Sequence, residues 1–221
     1  MNHSVAPQSP ALSPFKVLIL PGWAGGTPDV AGGTPDVAGA ATLSDTPHPG
    51  PGWMTCWHDL YGDEIVVQDD FVAARKDEWI RRLEEVVSRQ TVPVILVAHS
   101  LGCLLTASWA ERSPNVHRIV GALLVAPGDP ERPGGVRDKL HTWIPIDTHT
   151  LPFASILVVS RNDHSCSLGR AETFAKSWSS TLFDNGDCGH MVGPNDPGTW
   201  TEGRGLLNQL ARGAAHTALK F

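Results

Sequence analysis

Val94-Ile95-Leu96-Val97-Ala98-His99-Ser100-Leu101-Gly102-Cys103-Leu104 is the stretch on which the fold turns. Its first half is an unbroken aliphatic run, the composition of a strand covered on both faces. Its second half opens a segment, Ser100 to Arg112, that reads as a helix. Ala98 and Gly102 place small residues two positions to either side of Ser100. That spacing suits a tight strand-to-helix turn, in which the serine Oγ is lifted clear of the sheet and bulky flanking residues would collide. The Leu101 N–H, at the helix start, is then left free to meet a developing negative charge.

The rest of the chain extends this unit. Strands are expected at Val17–Leu20, Glu64–Gln68, Val92–Ala98, Ile119–Val125, Ser155–Ser160 and Thr181–Asp184. The runs at Val94–Val97, Ala122–Val125 and Ile156–Val159 are apolar on both faces, as in a parallel sheet packed between helices. Apolar residues at helical spacing mark Trp53–Leu60, Lys76–Ser88, Leu168–Ser179 and Thr201–Gly213. The alternation predicts an α/β three-layer sandwich with a mostly parallel sheet of about six strands and right-handed crossovers. With the serine turn this is the α/β-hydrolase fold, the turn being its nucleophile elbow. The segment from Gly128 to Pro152 has room for a short helix at Val136–Leu140 but not for a cap domain.

The domain is expected to span 15–213, with a flexible N-terminal tail at 1–14 and a C-terminal tail at 214–221. Residues 24–50 form a Gly/Pro-rich inserted loop, in which Ala24–Val30 (AGGTPDV) is repeated letter for letter by Ala31–Val37. Such a composition has few side chains to offset ordering entropy. It reads as a duplication in a surface loop, or else as a flap over the site.

A serine hydroxyl needs a base, and in this fold the order along the chain is Ser, then Asp or Glu, then His. Asp163 follows the apolar strand ending at Ser160, and His190 lies on a Gly-rich loop after the last strand. Ser100, Asp163 and His190 are therefore the expected catalytic residues. Asp184 and Asp187 are the rival acids, set aside because a short loop turns back poorly onto His190. His164 stands on the wrong side in the order, and His99 is expected to point away from Oγ and bury against an adjacent loop. The oxyanion hole is expected from the backbone N–H of Leu101 together with that of Trp23 or Gly22, because a strand order of 2-1-3-4-5-6 sets the first strand beside the elbow strand. Gly25-Gly26 does not continue into a phosphate loop.

Composition excludes other classes. The chain has 221 residues, a net charge of -6 and 18% charged residues, which fits one soluble domain and gives no general attraction to nucleic acid or an anionic membrane. No apolar run approaches the roughly 18 residues that span a bilayer, and Val17–Leu20 is too short for a signal sequence. Cys56, Cys103, Cys166 and Cys188 form no C-x-x-C pair, so reduced thiols in a cytoplasmic protein are expected. His117, His141 and His149 lack a second ligand at metal spacing. No metal and no cofactor are expected, and the partner is a small-molecule acyl substrate.

The segments Val17–Trp23, Gln68-Asp69-Asp70, Val97–Cys103, Ala122–Pro127, Ser160–Asp163 with Cys166-Ser167, and Gly189-His190 together resemble the small serine hydrolases of the retinoblastoma-binding-protein-9 type. The resemblance runs from Phe15 to about Leu210. It implies a lidless α/β-hydrolase and, residue by residue, supports Ser100, Asp163 and His190 as the triad. Two features depart from it. Gly52-Trp53-Met54 stands where the family carries a His-Trp-Gln-like motif, and Leu101-Gly102-Cys103-Leu104-Leu105 lacks the Glu of the retinoblastoma-binding motif, so no such partner is carried over.

The expected activity is hydrolysis of a carboxylic ester, thioester or amide through an acyl-enzyme. An acyltransferase using the same triad, and a non-catalytic interaction protein on the same fold, are the alternatives. No cluster of Arg or Lys adjoins the motif loops in sequence, so the substrate mouth is expected to be apolar, with Trp53 and Met191, or Trp23 and Trp143, as its lining.

Overall fold

Odd and even residues along each central strand go to different helix layers, which is why these strands carry no polar face. The computed structural model describes residues 15–23 and 52–218. The tail at 1–14, the duplicated loop at 24–50 and the last three residues, 219–221, lie outside the described residues. Six strands, β1 (Lys16–Leu20), β2 (Glu64–Ile65), β3 (Val94–Ser100), β4 (Ile119–Pro127), β5 (Ser155–Val159) and β6 (Thr181–Asp184), form one sheet. Its order is β2-β1-β3-β4-β5-β6, the one expected, and every pair is parallel.

Helices α1 (Gly52–Tyr61), α2 (Lys76–Ser88), α3 (Leu101–Arg112), α4 (Leu168–Trp178) and α5 (Thr201–Ala218) cover it. Leu18, Leu20, Leu96, Ala98, Ala122, Leu124, Leu157 and Val159 join the apolar cluster of α2, α3 and α4. Val17, Ile19, Ile95, Val97, Leu123, Val125, Ile156 and Val158 join that of α1 and α5. Each layer therefore takes one parity of the strand residues, and neither face of the central strands β1, β3, β4 and β5 meets water.

Polar contacts fix the helices where apolar packing alone would let them slide. Glu84 on α2 accepts from Trp109 Nε1 at 2.8 Å, Ser113 Oγ at 2.5 Å and Asn115 Nδ2 at 2.6 Å, tying α2 to the end of α3. Arg204 on α5 pairs with the buried Asp63 and stacks over Tyr61 and Trp57, which pins α5 to the turn between α1 and β2. Trp57 in turn donates to the Thr199 carbonyl at 3.0 Å.

Most elements keep to the expected bounds within two residues, and three differ by more. β2 stops at Ile65 rather than Gln68; Val66 N still donates to the Ile19 carbonyl at 2.8 Å, but β1 gives way at Pro21, which has no N–H, so the edge strand has nothing further to pair with. Val136–Leu140 forms hydrogen-bonded turns rather than a helix, and a single 3₁₀ turn follows at His141–Trp143. α5 runs past Gly213 to Ala218, so part of the expected C-terminal tail is helical.

α3 and β1 approach each other closely at Gly102. A Cβ on Gly102 would lie 2.3 Å from the Leu20 carbonyl oxygen and 3.1 Å from the Pro21 oxygen. Both neighbours are backbone and cannot rotate aside. Gly102→Ala is expected to destabilise the protein by about 2–4 kcal/mol, read from urea unfolding; a loss under about 0.5 kcal/mol would mean that α3 is free to move off β1.

Candidate active site

The elbow forms because β3 ends in a residue that no strand or helix accommodates. Ser100 has φ 53° and ψ −117°, a positive φ that costs a non-glycine residue about 1–3 kcal/mol. The β3–β4 register slips between His99 and Ser100, so Ser100 stands opposite Pro127. Gly22, at the end of β1, lies against the serine: a Cβ there would come within 2.7 Å of Ser100 Cβ. On the β4 side, a Cβ on Gly128 would sit 3.4 Å from Ser100 Oγ and 3.7 Å from the Leu101 nitrogen. The serine is thus enclosed by backbone on both sides.

Ser100, His190 and Asp163 come together from the ends of β3, β6 and β5. Ser100 Oγ is 2.9 Å from His190 Nε2. His190 Nδ1 lies 2.9 Å from Asp163 Oδ2 and 3.0 Å from Oδ1. An ionised carboxylate only accepts, so Nδ1 carries the proton and Nε2 presents its lone pair to the serine hydroxyl. The Asp163 side chain is 3% exposed, and Oδ1 also accepts from the Ser165 N–H at 2.7 Å. The rival acids are elsewhere: Asp184 is bound by Arg161 and the Gly186 N–H, and Asp187 is exposed.

Ser160 and Asn162, to which the sequence assigns no role, hold the two loops to each other. Asn162 Oδ1 accepts from Ser160 Oγ at 2.8 Å and from Gly189 N at 2.7 Å, while Ser160 Oγ accepts from Cys188 N at 2.9 Å. Arg161 N donates to the Gly186 carbonyl at 2.8 Å. The loop carrying the acid and the loop carrying the histidine are therefore one clasped unit. A serine and an asparagine spaced by one residue after an apolar strand were the available signal.

His99 shares the odd parity of Ile95 and Val97, so it points into the α1/α5 layer and away from Oγ. There it is 3% exposed, with Nε2 2.9 Å from the His190 carbonyl oxygen and its ring 4.9 Å from the His190 ring. Burial, and secondarily the neighbouring His190, push its pKa down to about 3. A neutral imidazole at Nε2 facing a carbonyl must be the N–H donor. Burial also holds Cys103 and Cys166 protonated, the latter with its pKa pushed up to about 12, so neither thiol competes as a nucleophile.

Two expectations for the mouth are corrected. Trp53 is 0% and Met191 1% exposed. Trp53 is edge-on to Trp57, Trp200 and His99, inside the α1/α5 layer, so it packs behind His99 rather than lining an entrance. Trp143 is buried as well, donating to the Ala74 carbonyl, whereas Trp23 is half-buried and donates to the Val72 carbonyl at 2.7 Å. Among the described residues no group of three His, Cys, Asp or Glu side chains is placed to hold a metal, and no helix is long and apolar enough to cross a membrane.

A serine on a strand-to-helix turn, a histidine and a buried carboxylate at the carboxyl ends of a parallel sheet define a small α/β-hydrolase without a cap. Residues 44–209 match the model of the serine hydrolase family, and the chain belongs to that family. Among solved structures it is similar to a YdeN-like hydrolase from Pectobacterium atrosepticum, with 24% identity, a TM-score of 0.69, and 90% of this chain and 92% of that chain covered. It is similar to the ydeN gene product of B. subtilis, with 18% identity, a TM-score of 0.55, and coverage of 88% and 97%. A monoacylglycerol lipase of Paleococcus ferrophilus aligns at 10% identity with a TM-score of 0.60, covering 91% and 95%. At such identities these likenesses speak for the fold. No curated protein matches the chain.

Replacing His99 tests its hold on His190. His99→Leu is expected to lower kcat by roughly tenfold to a hundredfold with little change in KM, because a displaced base costs rate rather than binding. His99→Gln, which keeps a donor, is expected to recover most of it. His99 also makes stability pH-dependent: its folded pKa of about 3 lies below the unfolded value near 6.5, so the stabilisation is complete above about pH 6.5 and is lost as pH falls towards 3. A melting temperature that drops as steeply between pH 7 and pH 4 in His99→Gln as in the parent would contradict this.

Proposed function

We propose that this serine hydrolase cleaves a carboxylic ester, thioester or amide through an acyl-enzyme on Ser100, with His190 as general base and Asp163 as its orienting acid. The continuous hydrogen-bond chain from Ser100 Oγ through both His190 nitrogens to Asp163 carries the reading. As Oγ bonds to the substrate carbonyl carbon, its proton passes to His190 Nε2. The carbonyl electrons move onto oxygen, where the Leu101 N–H and a second N–H from Gly22 or Trp23 receive the charge. The proximity of Gly22 to Ser100 supports that pairing. The proton on Nε2 then goes to the leaving oxygen, sulfur or nitrogen, and the same base activates the water that releases the acyl group.

Kinship with the retinoblastoma-binding-protein-9 type belongs to the same proposal. It is supported by the shared segments around Trp23, Ser100, Asp163 and His190. A reducing compartment, the cytoplasm, is supported by four cysteines that are all free thiols.

A fluorophosphonate probe is expected to label Ser100 alone, with Ser100→Ala unlabelled and inactive. Asp163→Asn is expected to fold and to lose up to about 10⁴-fold in turnover, as when a triad histidine is left in the wrong tautomer. Full turnover in Asp163→Asn together with a crippled Asp187→Asn would reassign the acid.

A further inference from the structure

Ser100 is flanked by two glycines whose missing side chains have different causes. A Cβ on Gly22 would stand 2.7 Å from Ser100 Cβ, closer than packed atoms come, so the fold itself requires a bare residue there. At Gly128 it does not. A Cβ there would meet Ser100 Oγ at 3.4 Å, and the Leu101 nitrogen and the Ser100 carbonyl carbon at 3.7 Å, which are ordinary contact distances. Nor does Gly128 have a positive φ. An alanine at this position would therefore fit the protein. What its methyl group would fill is the space beside the nucleophile.

Gly128 is also held where it stands and is open to solvent. Ala126, with φ 44°, bends the end of β4, where Pro127 stands opposite Ser100. The Asp129 N–H donates to the Ser165 carbonyl at 3.2 Å. The Asp129 carboxylate lies 3.4 Å from Arg170 and accepts from the Glu131 N–H at 3.1 Å. Pro127 and Asp129 are buried, and Gly128 between them is half-buried. A fixed, accessible point without a side chain thus adjoins Oγ. Oγ and the Leu101 nitrogen are the reacting groups nearest to it, and no His190 atom comes closer.

Once Oγ has bonded to the carbonyl carbon, that carbon carries three other groups. Its oxygen turns to the Leu101 N–H, and its leaving atom must lie by His190 Nε2 to be protonated. The third group is the acyl chain, and the space at Gly128, beside Oγ and the Leu101 nitrogen, is left to it. We propose that Gly128 is a specificity-determining residue, and that the substrate class is esters of acids branched at the carbon next to the carbonyl. The branching methyl group takes the place of the missing Cβ. The inference rests on the hydrolase reading of Ser100.

Two isomeric esters with one leaving group test it, 4-nitrophenyl butyrate and 4-nitrophenyl isobutyrate. The parent is expected to cleave the isobutyrate with a kcat/KM no more than about tenfold below that of the butyrate. Gly128→Ala is expected to lower the isobutyrate at least about tenfold more than the butyrate, the discrimination that one methyl group gives in a packed site. Its melting temperature is expected to be undiminished. The ratio between butyl acetate and sec-butyl acetate, branched on the alcohol side, is expected to move by less than about threefold. A parent that rejects the isobutyrate more strongly overturns the inference. So does a Gly128→Ala variant that loses both 4-nitrophenyl esters alike or neither, or that shifts the alcohol-side ratio instead. A lowered melting temperature also overturns it, because the fold and not the substrate would then require the bare position. In each of these cases, turnover of the butyrate with Ser100 labelled by fluorophosphonate leaves the hydrolase reading standing. Labelling without turnover of either 4-nitrophenyl ester overturns the inference alone, and no labelling with no turnover overturns both.

Discussion

Ser100 carries a backbone conformation that a free chain would abandon, and the surrounding structure is arranged so that it cannot. Relaxing φ from 53° would swing α3 against β1, where Gly102 already meets the Leu20 carbonyl without room for a methyl group. It would also drive Ser100 into Gly22. α3 is buried from Leu101 through Ala110 and has no solvent side towards which to retreat. The strain of about 1–3 kcal/mol is thus held by the packing of an entire helix. In return, the serine hydroxyl leaves the sheet and the first N–H of α3 is left without a helical partner.

The histidine depends on the same economy of backbone contacts. Its loop carries Gly189 at φ 54° and Met191 at φ 55°, and it is secured from two directions. Asn162 and Ser160 clasp it to the loop of the acid, and His99 holds the His190 carbonyl from beneath. Because Asp163 and His190 share one clasp, movement of either loop carries both, and the Asp163–His190 contact is less exposed to distortion than the contact with Ser100. Neutral His99 suits this place. A charged imidazole this deeply buried, 4.9 Å from the His190 ring, would disfavour a second positive charge on His190.

Much of this was legible in the sequence. Parity and apolar continuity gave the strands, the small-x-Ser-x-Gly spacing gave the turn, and the chain order of Ser, Asp and His matched the residues that the fold brings together. What was not legible depends on partners distant in sequence. Trp53 and Met191 resemble exposed lining because aromatic and thioether groups suit a binding mouth; only their meeting with Trp57, Trp200 and Asn185 makes them interior. β2 has strand composition through Gln68, but a strand is as long as its neighbour allows.

The two hydrophobic layers also divide the Ser100–His190 hydrogen bond between them. Leu101, next to the serine, packs with α2, α3 and α4, while Met191, next to the histidine, packs with α1 and α5. The 2.9 Å contact between Ser100 and His190 therefore joins, above the edge of the sheet, two cores that the sheet keeps apart. Strand register fixes the spacing of β3, β4 and β5, whereas the two layers pack on opposite faces of that sheet. A substitution deep in either core moves one end of the Ser–His contact and not the other. The His190–Asp163 pair, rooted in neighbouring loops and clasped, moves as a body. The serine–histidine distance is thus the part of the site most sensitive to packing far from it, which gives Trp53 and His99, one behind the other beneath His190, their structural importance.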